Sequence, residues 1–265
     1  MIPELRPRGI GEILDAAVSL YRARFGLLVR YAAIVVVPVQ VLLTVVLLSA
    51  QPDNYSVTVN GTATPQFDSG RAQLGATIVV LVVSWLTHAF VAAVTTRIVA
   101  NAYVGHDETG SDAARTAAHR FLPVIAVGFL VGISELLGLF LCGVGTFAAQ
   151  ALFIAAIPVV ILERRRVFAA MSRSVELTRS HFWHVLGVVL TASLIGAILN
   201  VALVTALRVW AARGASSTAL VGAQGVVNIV ASVLTTPFVA AASVALYFDL
   251  RIRDEGFDVQ MAISG

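Results

Sequence analysis

The sequence has no lysine; all 18 of its basic residues are arginine. Its single cysteine, Cys142, excludes an intramolecular disulfide and a cysteine-built metal site. Charged residues make up only 12% of the chain, about half the share usual in a soluble domain. A net charge of only +3, with the arginines placed where membrane topology wants them, gives no footing for a nucleic-acid partner. Phosphate-loop glycines, metal-spaced histidines and a GxSxG elbow are all missing from the sequence. The expectation is a protein that is not an enzyme and carries no cofactor. Glu4, Glu12 and Asp15 interrupt the N-terminal region, and the first apolar run is too long for a cleaved signal, so that segment is expected to stay attached.

Hydrophobic residues, at 58%, are concentrated in six runs, roughly 26–50, 73–100, 121–142, 145–162, 183–207 and 222–248. A helix of about 20 apolar residues crosses a bilayer, so the fold class is all-α: a polytopic membrane protein of six transmembrane helices arranged as three hairpins. The whole of 1–265 reads as one membrane domain, with a cytoplasmic amphipathic segment (1–25), the six-helix bundle (26–249) and a tail (250–265). Gly143-Val144-Gly145 is all that separates the third run from the fourth, which requires a tight helical hairpin. Counted by side, 15 arginines fall at one end and only Arg71, Arg208 and Arg213 at the other. The arginine-rich side is expected to face the cytoplasm, with both termini on it.

Segments between the runs carry a helical pattern of their own. In 9–25, Ile10, Ile13, Leu14, Ala17, Val18, Tyr21 and Phe25 share one face, opposite Glu12, Asp15, Ser19 and Arg22. Residues 167–181 repeat the pattern, and 112–121 form a weaker third copy ending, like the others, in phenylalanine before a span. Three units of amphipathic helix plus two spans are therefore expected, the helices lying in the headgroup plane.

Polar side chains inside spans are costly unless paired or hydrated, and so mark candidate sites. Glu135, about 14 residues into the third run, and His88, near the middle of the second, are the sharpest; Gln40, Gln150, Asn200 and Asn228 also fall within runs. In the functional interpretation Glu135 and His88 line a solute path, with Arg208 as outer counter-charge. In the structural one they make interhelical hydrogen bonds. No discontinuous helix is evident from the sequence to strengthen the first. Gly128 and Gly132 form a GxxxG pair, and Ala192 and Gly196 a similar one, whose expected use is packing within the chain. Pro38, Pro158 and Pro237 fall inside spans as kink positions. Arg164, Arg165, Arg166, Arg173 and Arg179 make the densest basic stretch, suited both to fixing topology and to contacting anionic lipid headgroups. Asn60-Gly61-Thr62 is a sequon in an outer loop.

Four stretches carry a resemblance: Leu5 to Ala16, Pro158 to Glu163, Arg173 to Thr178, and Leu246 to Asp258. Together they resemble the bacterial integral-membrane family named after the membrane domain of glycerophosphoryl diester phosphodiesterase. The resemblance implies a stand-alone membrane protein of the bacterial inner membrane; in the fusion that gave the family its name, another domain does the hydrolysis. Ala118-His119-Arg120 resembles the opening motif of that hydrolase but lacks the following glycine and every partner. The leading functional expectation is a scaffold, regulatory or lipid-organising partner of another membrane or envelope protein. The alternative is a small transporter for a lipid- or envelope-related solute using Glu135 and His88.

Overall fold

The computed structural model describes residues 8–49, 58–59, 62–63, 67–104, 110–140, 143–212, 214 and 217–255. Among them the chain is helical apart from short connections and a ribbon of two two-residue strands, in the order α1 (Ile10–Ala23), α2 (Phe25–Ser49), β1 (Thr58–Val59), β2 (Thr62–Ala63), α3 (Phe67–Val104), α4 (Gly110–His119), α5 (Phe121–Leu139), α6 (Val144–Phe153), α7 (Ala156–Leu162), α8 (Val167–Arg179), α9 (Phe182–Ala211) and α10 (Ser217–Glu255). The ribbon is antiparallel, with Thr58 opposite Ala63, and occupies part of the segment expected to be a loop. Cys142, Asn60, Gly61 and the tail from 256 onward lie outside the described residues.

Six stretches are long and apolar enough to cross a membrane: Phe25–Val46, Leu74–Tyr103, Phe121–Leu139, Val144–Leu162, Phe182–Trp210 and Ala219–Asp254. They coincide with the six expected runs. The last extends furthest beyond expectation, since α10 continues through the start of the expected tail instead of stopping at Phe248. At 1.5 Å per residue, α3 with 38 residues and α10 with 39 are about 57 and 58 Å long. That is nearly twice the roughly 30 Å hydrocarbon thickness, so both carry polar and aromatic side chains beyond it.

The three-unit pattern is present in the element order: α1-α2-α3, α4-α5-α6/α7 and α8-α9-α10. Each short helix joins its first span through one or two residues, and each first span begins with a phenylalanine: Phe25, Phe121 or Phe182. Equivalent positions share burial. Eight residues before each phenylalanine stand Ala17, Ala113 and Ser174; three residues after stand Leu28, Val124 and Val185. All six are fully buried. Small residues recur at the first position because a second helix crosses there.

That second helix belongs to the preceding unit. α4 packs on α3, α8 on α7 and α6, and α1 on α10 and α9, so the first unit closes onto the last. The apolar stripe of α1, expected to rest on lipid, is covered by protein at its centre, where Ile13 and Ala17 have no exposed surface, while Ile10, beside Gly187 of α9, and Phe25 beyond the helix stay exposed. Burial against neighbouring helices covers that stripe on a close-packed surface with small residues.

The hairpin between α5 and α6 turns at Gly143, whose φ of 77° lies in the left-handed region favourable to glycine. The two backbones meet at Gly138 and Gly145, where a methyl on Gly145 would stand 2.6 Å from the Gly138 carbonyl oxygen. The GxxxG pair also packs within the chain, since Gly128 leaves room for the Trp85 indole at 3.2 Å and Gly132 faces the same ring. Gly196 has nothing near it.

The fourth span, Val144–Leu162, loosens at Ile154 and Ala155, where α6 joins α7, although both residues keep right-handed helical dihedrals (φ −59°, ψ −32° and φ −83°, ψ −6°). Pro158 has no N–H to donate to the Ile154 carbonyl, which weakens the helix there. The Leu152 carbonyl beside this join accepts from another helix, from the Ser174 hydroxyl at 2.8 Å and the Thr178 hydroxyl at 3.2 Å.

Candidate functional site: an intramembrane cleft and a polar clasp

A cleft of about 400 Å³ opens between α3, α5, α6, α7 and α10, drawing on all three units. Its walls are mostly apolar, from residues such as Val131, Ile157 and Val239, and polar groups enter at few points. Glu135 and His88 both line it, as does Gln150. The structure thus brings the two sharpest sequence candidates to one cavity. It gives them different roles.

His88 is engaged by its surroundings. Its Nδ1 lies 2.6 Å from the Ser84 carbonyl oxygen, which can only accept, so Nδ1 carries a proton. Its Nε2 lies 3.1 Å from the Ser232 hydroxyl, tying α3 to α10. Glu135 makes no such bridge. Its backbone carbonyl accepts from the Thr146 hydroxyl at 3.0 Å across the hairpin, but its carboxyl group has no hydrogen bond or ion pair among the described residues. Arg208 does not supply one: it sits exposed in the last turn of α9 and does not line the cleft. The other intramembrane polar residues lie elsewhere, Asn228 being exposed and bonded to Gln224 at 3.1 Å, Asn200 exposed, and Gln40 buried.

A second polar assembly, at the arginine-rich end, was missed as a site. Asp249, only 1% exposed, accepts from the Arg8 backbone N–H and from Arg253 Nε, each at 2.7 Å. Arg253 in turn donates to the Arg8 carbonyl at 2.5 Å. The Arg8 guanidinium lies over the Tyr103 ring, which stacks on Phe248 with centroids 4.6 Å apart. His184 Nε2 lies 3.7 Å from Asp249. Two residues before Asp249, Tyr247 donates its hydroxyl at 3.0 Å to Glu163, which also meets Arg165 at 2.8 Å and Arg173 at 3.7 Å. The only sequence signal for this clasp was the resemblance itself, because its four stretches converge here.

The basic stretch therefore divides. Arg164, Arg166 and Arg179 are exposed, and Arg165 is half-exposed beside Glu163. Arg173 turns inward to Glu163 and to Glu176 at 3.4 Å, so it is occupied within the protein. Arg164 has a φ of 55°, the single positive φ outside glycine among the described residues, and its carbonyl accepts from Arg120 at 3.3 Å. His119, beside Arg120, is exposed at the end of α4. The described residues contain no group of three or more potential metal ligands.

No curated protein matches the chain, and no solved structure does. A family model described as the membrane domain of glycerophosphoryl diester phosphodiesterase matches residues 131–258, a stretch that takes in Glu135, the fourth span and three of the four converging stretches. Over those residues the chain is similar to that family.

Proposed function

We propose that the protein is a non-enzymatic membrane permease or carrier that takes a small amphiphilic solute, lipid- or envelope-related, into the cleft beside Glu135. The observation that carries this proposal is the cleft itself: about 400 Å³, mainly apolar, with a carboxyl group that no described residue engages. Ligand sites have this composition, broad apolar walls and a few placed polar groups. A scaffold would need only a closed apolar core and an outer contact face, and has no use for an unengaged carboxyl at membrane depth. Ile154, where the helix is weakened by Pro158 one turn on, lies on the cleft wall. The arginine-rich end faces the cytoplasm in this proposal, with Arg164, Arg166 and Arg179 against anionic headgroups.

The experiment is movement of a fluorescent short-chain phosphatidylcholine across proteoliposomes. The wild-type protein is expected to accelerate it over protein-free vesicles, and Glu135→Gln to lower the accelerated rate by roughly ten-fold, the scale of one lost charged contact. His88→Ala is expected to lower it less, acting through the α3–α10 bridge. No acceleration by the wild type, or equal rates for wild type and Glu135→Gln, removes the proposal.

A further inference from the structure

Resting on the cleft as a binding site, we infer that its ligand is an organic cation: an ammonium or similar positive group carried on an apolar body. Charge is the first reason. Among the described residues no arginine lines the cleft, and its histidine has both ring nitrogens engaged by Ser84 and Ser232, so Glu135 supplies the one unengaged charge-bearing side chain in the described lining. An anionic headgroup would meet that carboxylate and no cation to offset it.

Two of the neutral polar groups point the same way. Thr235 donates its hydroxyl proton to the Ala231 carbonyl at 2.7 Å, and Ser243 donates to the Ala240 carbonyl at 2.9 Å. Their oxygens are left as acceptors, not donors, beside the donor-capable Thr96, Gln150 and Thr236. Aromatic groups complete the set, since Trp85 and Phe153 line the same cavity and indole faces attract cations. A carboxylate, lone-pair oxygens and aromatic rings within apolar walls are the elements that recognise an alkylammonium group.

The test uses the full chain in lipid nanodiscs and two probes, benzyltrimethylammonium and its neutral carbon isostere 2,2-dimethylpropylbenzene. Binding is followed by saturation-transfer NMR with empty nanodiscs subtracted. The cation is expected to bind saturably, the isostere at least about ten-fold more weakly, and Glu135→Gln to erase most of that difference. Trp85→Leu is expected to weaken the cation several-fold while Glu135→Asp retains it; both keep the helices intact, as checked by far-ultraviolet circular dichroism. Equal binding of the two probes, unchanged in Glu135→Gln, overturns the cation assignment and leaves the cleft a ligand site. Absence of saturable binding by either probe overturns both.

Discussion

Replacing Asp249 with alanine is expected to cost roughly 3–5 kcal/mol of stability, the range for removing one partner from a buried charge pair. The magnitude follows from what is left behind. Asp249 is 1% exposed and accepts from two donors at 2.7 Å, the Arg8 amide and Arg253 Nε, with His184 close by. Without the carboxylate, the Arg8 N–H and the Arg253 Nε lose their acceptor in a part-buried site, and Arg253 keeps only its bond to the Arg8 carbonyl. Asp249→Asn keeps an acceptor for the Arg8 amide and is expected to cost less. Arg253→Ala, whose side chain is partly exposed, should also cost less, and the two alanine variants should be non-additive. Denaturation of the purified protein in mild detergent measures these differences. A loss below about 1 kcal/mol for Asp249→Ala would place the clasp with ordinary surface pairs. Because α1 hangs on this clasp, amide exchange in residues 10–23 should rise in the same variant.

The second large effect is at the hairpin. Gly145→Val puts a branched side chain where a single methyl would already stand 2.6 Å from the Gly138 carbonyl oxygen and 2.8 Å from its Cα. Backbone cannot yield as a side-chain end can, so the cost is expected at or above the upper end of the 1–3 kcal/mol typical of overpacking. α5 and α6 would have to separate, opening the Thr146 contact to the Glu135 carbonyl and displacing one wall of the cleft. Gly196→Ala serves as the control: it lies in α9 with nothing within 4 Å and is expected to be neutral or slightly stabilising. Equal thermal midpoints for wild type and Gly145→Val would contradict the close backbone crossing.

The two predictions depend on features of very different legibility in the sequence. Gly143-Val144-Gly145 announces the hairpin, and six apolar runs announce the spans, because chain length and glycine chemistry act locally. The unit repeat was legible from Phe25, Phe121 and Phe182 and the amphipathic stretches before them. That each short helix settles on the preceding unit was not, since hydrophobic periodicity gives the apolar face but not whether lipid or protein covers it. Glu135 and His88 stood out because charge and imidazole are rare in spans; their separate roles depended on Ser232, 144 residues away in α10. The loosened turn at Ile154 joins Pro158 with Ser174 and Thr178 from another helix, a coincidence without local signature. Asp249 lay in a stretch marked only by resemblance, and its partner Arg8 is 241 residues distant.

The central claim is that the cleft reaches the depth of Glu135 as open, water-admitting space, and thiol reactivity tests it most directly. In a Cys142→Ser background, cysteines are placed singly at Val131 and Thr236, which line the cleft, and at Leu136, next to Glu135 but 60% exposed on the outer face of the bundle. A water-soluble methanethiosulfonate reacts with thiolate, which forms where water reaches and not in hydrocarbon. Modification of Val131→Cys and Thr236→Cys in native membranes, with Leu136→Cys unmodified, is the expected result. Equal resistance at all three positions would mean that the cleft is closed to water and that Glu135 faces no path.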